Sequence, residues 1–214
     1  MTPDAEGTTL DQSGRELGPR ALETRRRLLD ATEQLLARSS FRDVSVVDIA
    51  REAGTSPATF YQYFKDVSEA ALRLAELAAG DLPAVIEMID GNWEGEGGLD
   101  NARQIVEAFV RHWDAHRAVL LGRNLAADEG DRRFLRVRQE SLTPVLAHLA
   151  AQISASQKAK RVDPKLDPSA GAAAMGAILE RLAAYHRELE VLGVSRDDLV
   201  ETCARILHQT VAGR

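Results

Sequence analysis

The sequence predicts an all-α protein, with a small N-terminal three-helix unit followed by a larger C-terminal helical domain. Three observations predict it. Apolar residues recur at three- and four-residue spacing over most of the chain, and no alternating strand pattern of useful length occurs. Gly, Pro and capping residues mark the places where periodic stretches stop and restart. The expected organisation is a disordered arm over 1–18, the three-helix unit over 19–66 and the larger domain over 67–214, a length that can bury a sizeable core.

The arm is polar, rich in Gly, Thr and Asp, and lacks periodicity. Structure starts near Pro19. Leu28, Leu29, Ala31, Leu35 and Leu36 form one apolar stripe on a helix ending near Ser39. Ser45-Val46-Val47-Asp48 reads as a capping box that opens a second helix with Val46, Ile49, Ala50 and Ala53 inward. Gly54 suits the left-handed conformation that ends a helix. Ser56 and Pro57 restart the chain as a third, short helix reaching about Phe64. Helix, tight turn and helix is the geometry of a helix-turn-helix. A long linking helix from about Asp66 follows, kinked or broken at Pro83. Gly91–Gly98 reads as a loop. Helices are then expected over 99–116, 118–127, 132–156, 168–192 and 196–212.

Net charge is −6, yet Arg20, Arg25, Arg26 and Arg27 fall within eight residues interrupted only by Glu23. A solvated helix face and a phosphate-contacting patch both fit such a run. No stretch is long and apolar enough to span a bilayer, and the N-terminus lacks the pattern of a signal peptide, so a cytoplasmic protein is expected. The single Cys203 agrees with a reducing compartment and reads as a small buried hydrophobe.

The stretch Thr55–Lys65, TSPATFYQYFK, holds four of the chain's few aromatics beside a proline and a lysine. A helix opening at Ser56 presents Thr55, Ser56, Ala58 and Thr59 at its exposed end, where small polar side chains can approach base edges in a major groove. Phe60 and Phe64, four apart, share an inward face. Tyr61 and Tyr63 point elsewhere and can offer hydroxyls to phosphate, with Lys65 adding positive charge.

Arg27-Leu28-Leu29-Asp30-Ala31, Asp48-Ile49-Ala50-Arg51-Glu52-Ala53-Gly54-Thr55-Ser56 and Thr59-Phe60-Tyr61-Gln62-Tyr63-Phe64, in that order, resemble the N-terminal domain of TetR-family transcriptional repressors over about residues 22–72. The resemblance implies that Thr55–Thr59 open the recognition helix and that Tyr61 and Tyr63 face phosphate or groove edge. It also implies that Arg20 and Arg25 reach an adjacent minor groove, and it sets Ser45 at the position of a usual capping threonine. One departure stands out: Val67 occupies the position of the family's phosphate-holding lysine, and Lys65 is the substitute at hand. The function implied is a sequence-specific DNA-binding regulator, a repressor released from a palindromic double-stranded operator by a small effector.

For the second half the family reading implies effector binding and dimerisation. The run Ser169–Ala177, SAGAAAMGA, lets helices approach closely, with Ile178, Leu179, Leu182 and Ala183 after it. Leu199, Cys203, Ile206, Leu207 and Thr210 add a last helix. A homodimer interface and a helix buried within one chain share this composition. Phe109, Trp113, Asn124, Phe134, Leu146 and Tyr185 are the candidate effector contacts, and their apolar character points to a lipophilic or aromatic small molecule. No HExxH, GxSxG, P-loop or paired-cysteine motif occurs, so no enzyme is expected. His112 and His116 have metal-binding spacing, but no third ligand is evident from sequence, so neither metal nor cofactor is expected. A helical adaptor that binds only protein is the rival reading, and it leaves the Thr55–Lys65 stretch unexplained.

Overall fold

The computed structural model describes residues 12–213, so residues 1–11 of the expected disordered arm lie outside it. Among the described residues there are nine helices and no strand: α1 (Pro19–Arg38), α2 (Val46–Glu52), α3 (Pro57–Tyr63), α4 (Val67–Ala79), α5 (Pro83–Ile89), α6 (Gly95–Asp128), α7 (Arg132–Lys158), α8 (Pro168–Val191) and α9 (Arg196–Ala212). None of these helices is long and apolar enough to cross a membrane. The chain forms two compact units, one of residues up to Leu77 with Ala118–Phe134, the other of Ala78–Arg117 with residues from Leu135 onward.

In the first unit α1 packs on α2 and α2 on α3. Leu28, Leu29 and Leu36 of α1, Ile49 and Ala50 of α2, and Phe60 and Phe64 are buried together as its core. The stops and starts follow local chemistry. The Ser45 hydroxyl oxygen accepts the Asp48 N–H at 3.2 Å, and Ser56 does the same for Thr59 at 3.2 Å with Pro57 in the first turn. Gly54 carries φ +62°, the left-handed turn that separates α2 from α3. Asp66 caps α4 by accepting the Glu69 N–H at 2.8 Å, and Glu69 reaches back to the Lys65 N–H at 2.6 Å.

Residues 118–134 join this unit through Phe41. Its ring meets Phe134 edge-on at 6.2 Å and 88°, and a Cβ at Gly122 would stand 3.2 Å from it. Arg42 and Glu129 pair across the same contact. Residues 12–18, expected as disordered, are instead tied down. The Gln12 N–H donates to the Gln62 carbonyl at 3.0 Å, its amide donates to the Tyr63 carbonyl at 3.3 Å and to the Glu69 carboxylate, and Leu17 is 8% exposed.

In the second unit α8 packs on α9 over Leu179, Leu182, Ala183, Val200, Ala204 and Leu207. Cys203 is buried among them, which pushes its thiol pKa up. Pro83 breaks the linking helix outright and opens α5, where its missing N–H costs nothing. The glycine-rich segment departs from expectation, because α6 begins at Gly95 and not near Leu99. Asn92 accepts the Glu94 N–H at 2.9 Å, the Trp93 indole N–H donates to the Ile89 carbonyl at 2.7 Å, and the Gly98 N–H reaches the Glu94 carbonyl at 2.9 Å. The expected helices 99–116 and 118–127 are the two segments of α6, which meet at a kink with non-helical dihedrals at His116, φ −120° and ψ 21°, where the break was expected.

A charged network sits on α8. His186, 3% exposed, lies 3.0 Å from the Asp114 carboxylate, which also accepts from Arg187 at 2.5 Å. Burial pushes the Asp114 carboxyl up, but the hydrogen bonds and charges of His186 and Arg187 together outweigh it and hold the carboxyl below its ordinary value. A depressed folded pKa stabilises the fold above the unfolded carboxylate value of about 3.9 and ceases to as pH falls through the lower folded value. Asp114→Asn is therefore expected to cost about 1.5–3 kcal/mol at neutral pH. In urea denaturation the gap from the parent should narrow below a pH of about 4; an equal gap at neutral and acid pH would contradict the assignment.

Candidate nucleic-acid interface

Helix α3 is short, and its orientation is fixed from below by buried Phe60 and Phe64, whose ring centroids are 5.5 Å apart. Ala58, Tyr61 and Gln62 then fall on the outer face at three- and four-residue spacing, all exposed, with Ser56 and Pro57 at the open end and Thr55 and Thr59 half-buried beside them. Tyr61 is 54% exposed, and its ring stands edge-on to Phe60 at 5.8 Å, so the hydroxyl is carried outward on a braced ring. Tyr63 is half-buried, and Lys65 is exposed just past the end of α3. Gln62 was not among the sequence candidates. Its spacing from Ala58 was the available signal, and a glutamine there can pair bidentately with adenine.

The two serines act first as caps. The single proton of the Ser45 hydroxyl goes to the Asp48 carboxylate, which leaves Ser45 as the helix cap. That carboxylate is held below its usual pKa by this hydrogen bond first, then by Arg51. The donors at this end of α2 are the first-turn N–H groups, which an α-helix leaves without an intrahelical acceptor. Ser56 and Thr59 lie hydroxyl to hydroxyl at 3.0 Å, so they present one linked polar pair.

The arginine run resolves residue by residue. Arg26 is held by Glu23 at 2.8 Å and lies 3.7 Å from Asp30, the bland solvated face. Arg25 is half-buried with its guanidinium 5.3 Å from the centroid of the Phe64 ring; burial first, then Arg73, pulls its pKa below the ordinary arginine value. It braces the module in place of the outward reach expected of it. Arg20 is exposed at the start of α1. A polar cleft lined by Arg15, Glu16, Leu17, Gly18, Ala21, Gln62 and Tyr63 brings the chain before α1 alongside the end of α3. Arg15 was missed because it lies in a segment read as disordered.

The effector candidates divide between the units. Phe134 and Asn124 belong to the first, Phe134 buried against Phe41. Phe109 and Trp113 are buried four apart on α6 in the second, and Leu146 is half-buried on α7. Tyr185 lies on the outer face of α8 with the Arg181 guanidinium 3.7 Å over its ring, in an open apolar groove lined also by Ala177, Ile178, Leu189 and Leu192. A third potential metal ligand, which the sequence did not reveal, stands beside His112 and His116: Asp81.

Residues 28–75 match the family described as bacterial regulatory proteins, tetR family, and residues 85–214 match the tetracyclin repressor-like C-terminal domain. An uncharacterized HTH-type transcriptional regulator of Haemophilus influenzae is 45% identical over 56 residues, a match spanning 26% of this chain and 27% of that relative. Among solved structures, the fatty acid degradation regulator FadR from Bacillus halodurans is similar with a TM-score of 0.65 over 93% of this chain and 97% of its own, at 16% identity. GusR of Salmonella enterica gives 0.65 over 91% and 97%, at 19% identity. FadR from Bacillus subtilis, solved in complex with stearoyl-CoA, gives 0.64 over 88% and 98%, at 16% identity. At these identities the likeness is one of fold.

Proposed function

Because this chain belongs to the TetR family of bacterial regulatory proteins and is a helix-turn-helix DNA-binding transcriptional regulator, we propose that it represses as a homodimer on a palindromic operator and is released by a lipophilic or aromatic small molecule. The observation that carries the DNA part is the outward face of α3, with Ser56, Ala58, Tyr61 and Gln62 exposed over the fully buried Phe60. Two-fold symmetry follows from the small number of bases one seven-residue helix can read. The outer face of α8 supports it, since Ala173, Ala174, Ala177 and Ile178 are exposed there and Leu192 is 76% exposed. The effector class is supported by the apolar side chains of Phe109, Trp113 and Leu146, and by the stearoyl-CoA bound in one structural neighbour. Release requires that the effector bind better to a dimer whose recognition helices miss successive major grooves. Helix α4, which runs from the first unit into the second, is the lever.

The test is fluorescence anisotropy on DNA from the protein's own upstream region, with scrambled DNA as control, across a salt series. Tight, selective binding is expected; equal, salt-sensitive binding to both probes would overturn the operator reading. Lys65→Ala should weaken binding across sequences and reduce the salt slope by about 1. An unchanged slope removes Lys65 from the phosphate contacts.

A further inference from the structure

Asp81, His112 and His116 converge within the second unit. Asp81 sits in the turn between α4 and α5, two residues past the end of α4, with its N–H on the Ala78 carbonyl at 3.3 Å. His112 and His116 lie one turn apart on α6, ring centroids 5.3 Å apart and planes at 56°. His116 Nε2 is 2.8 Å from Asp81 Oδ2, and one ligand atom from each of the three residues lies within 4.8 Å of the other two.

We propose that these residues form a divalent transition-metal site suited to Zn²⁺, with a fourth position left open, and that the ion clamps the end of α4 to α6. Two imidazoles at four-residue spacing on one helix, with a carboxylate from another element, make a borderline-soft donor set that favours zinc and its neighbours over magnesium or calcium. A tetrahedral ion with bonds of about 2.0–2.1 Å holds its ligand atoms about 3.4 Å apart. The His116–Asp81 pair opens slightly to reach that spacing, and the carboxylate, 65% exposed, can rotate to close the wider one. The break in helical dihedrals at His116 falls on a ligand. A second histidine–aspartate pair, His148 with Asp90 at 2.7 Å, has no such third donor in a cluster of this kind among the described residues and serves as the internal control.

The clamp rests on the proposed regulatory function, because α4 is the helix that leaves the DNA-binding unit; ion binding does not, so the two can fail separately. The experiment titrates Co²⁺, and Zn²⁺ in competition, into chelator-treated full-length protein without an affinity tag, reading the visible Co²⁺ spectrum and, in parallel, operator anisotropy. Saturation at one ion per chain is expected. His112→Ala and His116→Ala should each weaken binding at least about tenfold. Asp81→Asn, at an exposed turn where folding is not at stake, should weaken it too, and His148→Gln should leave it unchanged. No saturable band, or equal binding in both histidine variants, overturns the site. An ion that fills the site without altering operator affinity overturns the clamp.

Discussion

Ala177→Arg is expected to leave each chain folded, convert the protein to monomers and lower operator affinity at least about a hundredfold, the loss that follows when two linked binding modules are separated. Ala177 is exposed on the outer face of α8, beside Ile178 and in the groove shared with Leu182, Leu189 and Leu192, so the longer side chain meets solvent in an isolated chain. In a two-fold dimer packed through this face it would be introduced twice, and each guanidinium would lose water against apolar neighbours without a partner. Sedimentation velocity reads the oligomeric state, circular dichroism the fold, and anisotropy the operator. A dimer that survives the substitution would move the interface off this face.

The first unit was legible in the sequence because its signals are local. Ser45, Gly54, Ser56 and Pro57 each act within four residues of themselves, and the structure finds the caps and the left-handed turn where the pattern put them. Signals that depend on distant partners were not legible. Gln12 is polar and lies in a segment without periodicity, and only the folded chain brings it to Gln62, Tyr63 and Glu69. The early start of α6 depends on Trp93 being buried with its indole on the Ile89 carbonyl, which the surrounding glycines concealed. Arg25 illustrates a different limit. Its place in a basic run suggested phosphate, while its half-burial over Phe64 is set by helix rotation, which a charge count does not contain. The effector contacts stayed least legible, because apolar residues at helical spacing line a core and a pocket alike; Asp81 and His112 are distant in sequence, so their convergence had no sequence signature.

Phe60→Ala should remove operator binding by dismantling the platform beneath α3, since no outward residue is changed. Phe60 is fully buried, edge-on to Tyr61 and tilted against Phe64, with Ile49 and Leu28 also fully buried in the same unit. Truncating a buried phenylalanine costs about 3–5 kcal/mol, because the lost apolar transfer is joined by a cavity that close-packed neighbours fill only in part. Against total stabilities of about 5–15 kcal/mol, such a loss removes a large share of what holds a small helical module folded. The chain contains its own reporters: both tryptophans, Trp93 and Trp113, belong to the second unit, and of the three tyrosines Tyr61 and Tyr63 belong to the first and Tyr185 to the second, so in a Tyr185→Phe background tyrosine reports on the first unit alone. The tyrosine-sensitive transition should fall to a lower denaturant concentration while the tryptophan transition moves less, and Phe60→Leu, which keeps most of the volume, should recover much of the loss. If Phe60→Ala binds operator normally, the orientation of α3 does not depend on this core. If it binds weakly yet shows an unshifted tyrosine transition, Phe60 acts on recognition by a route other than packing.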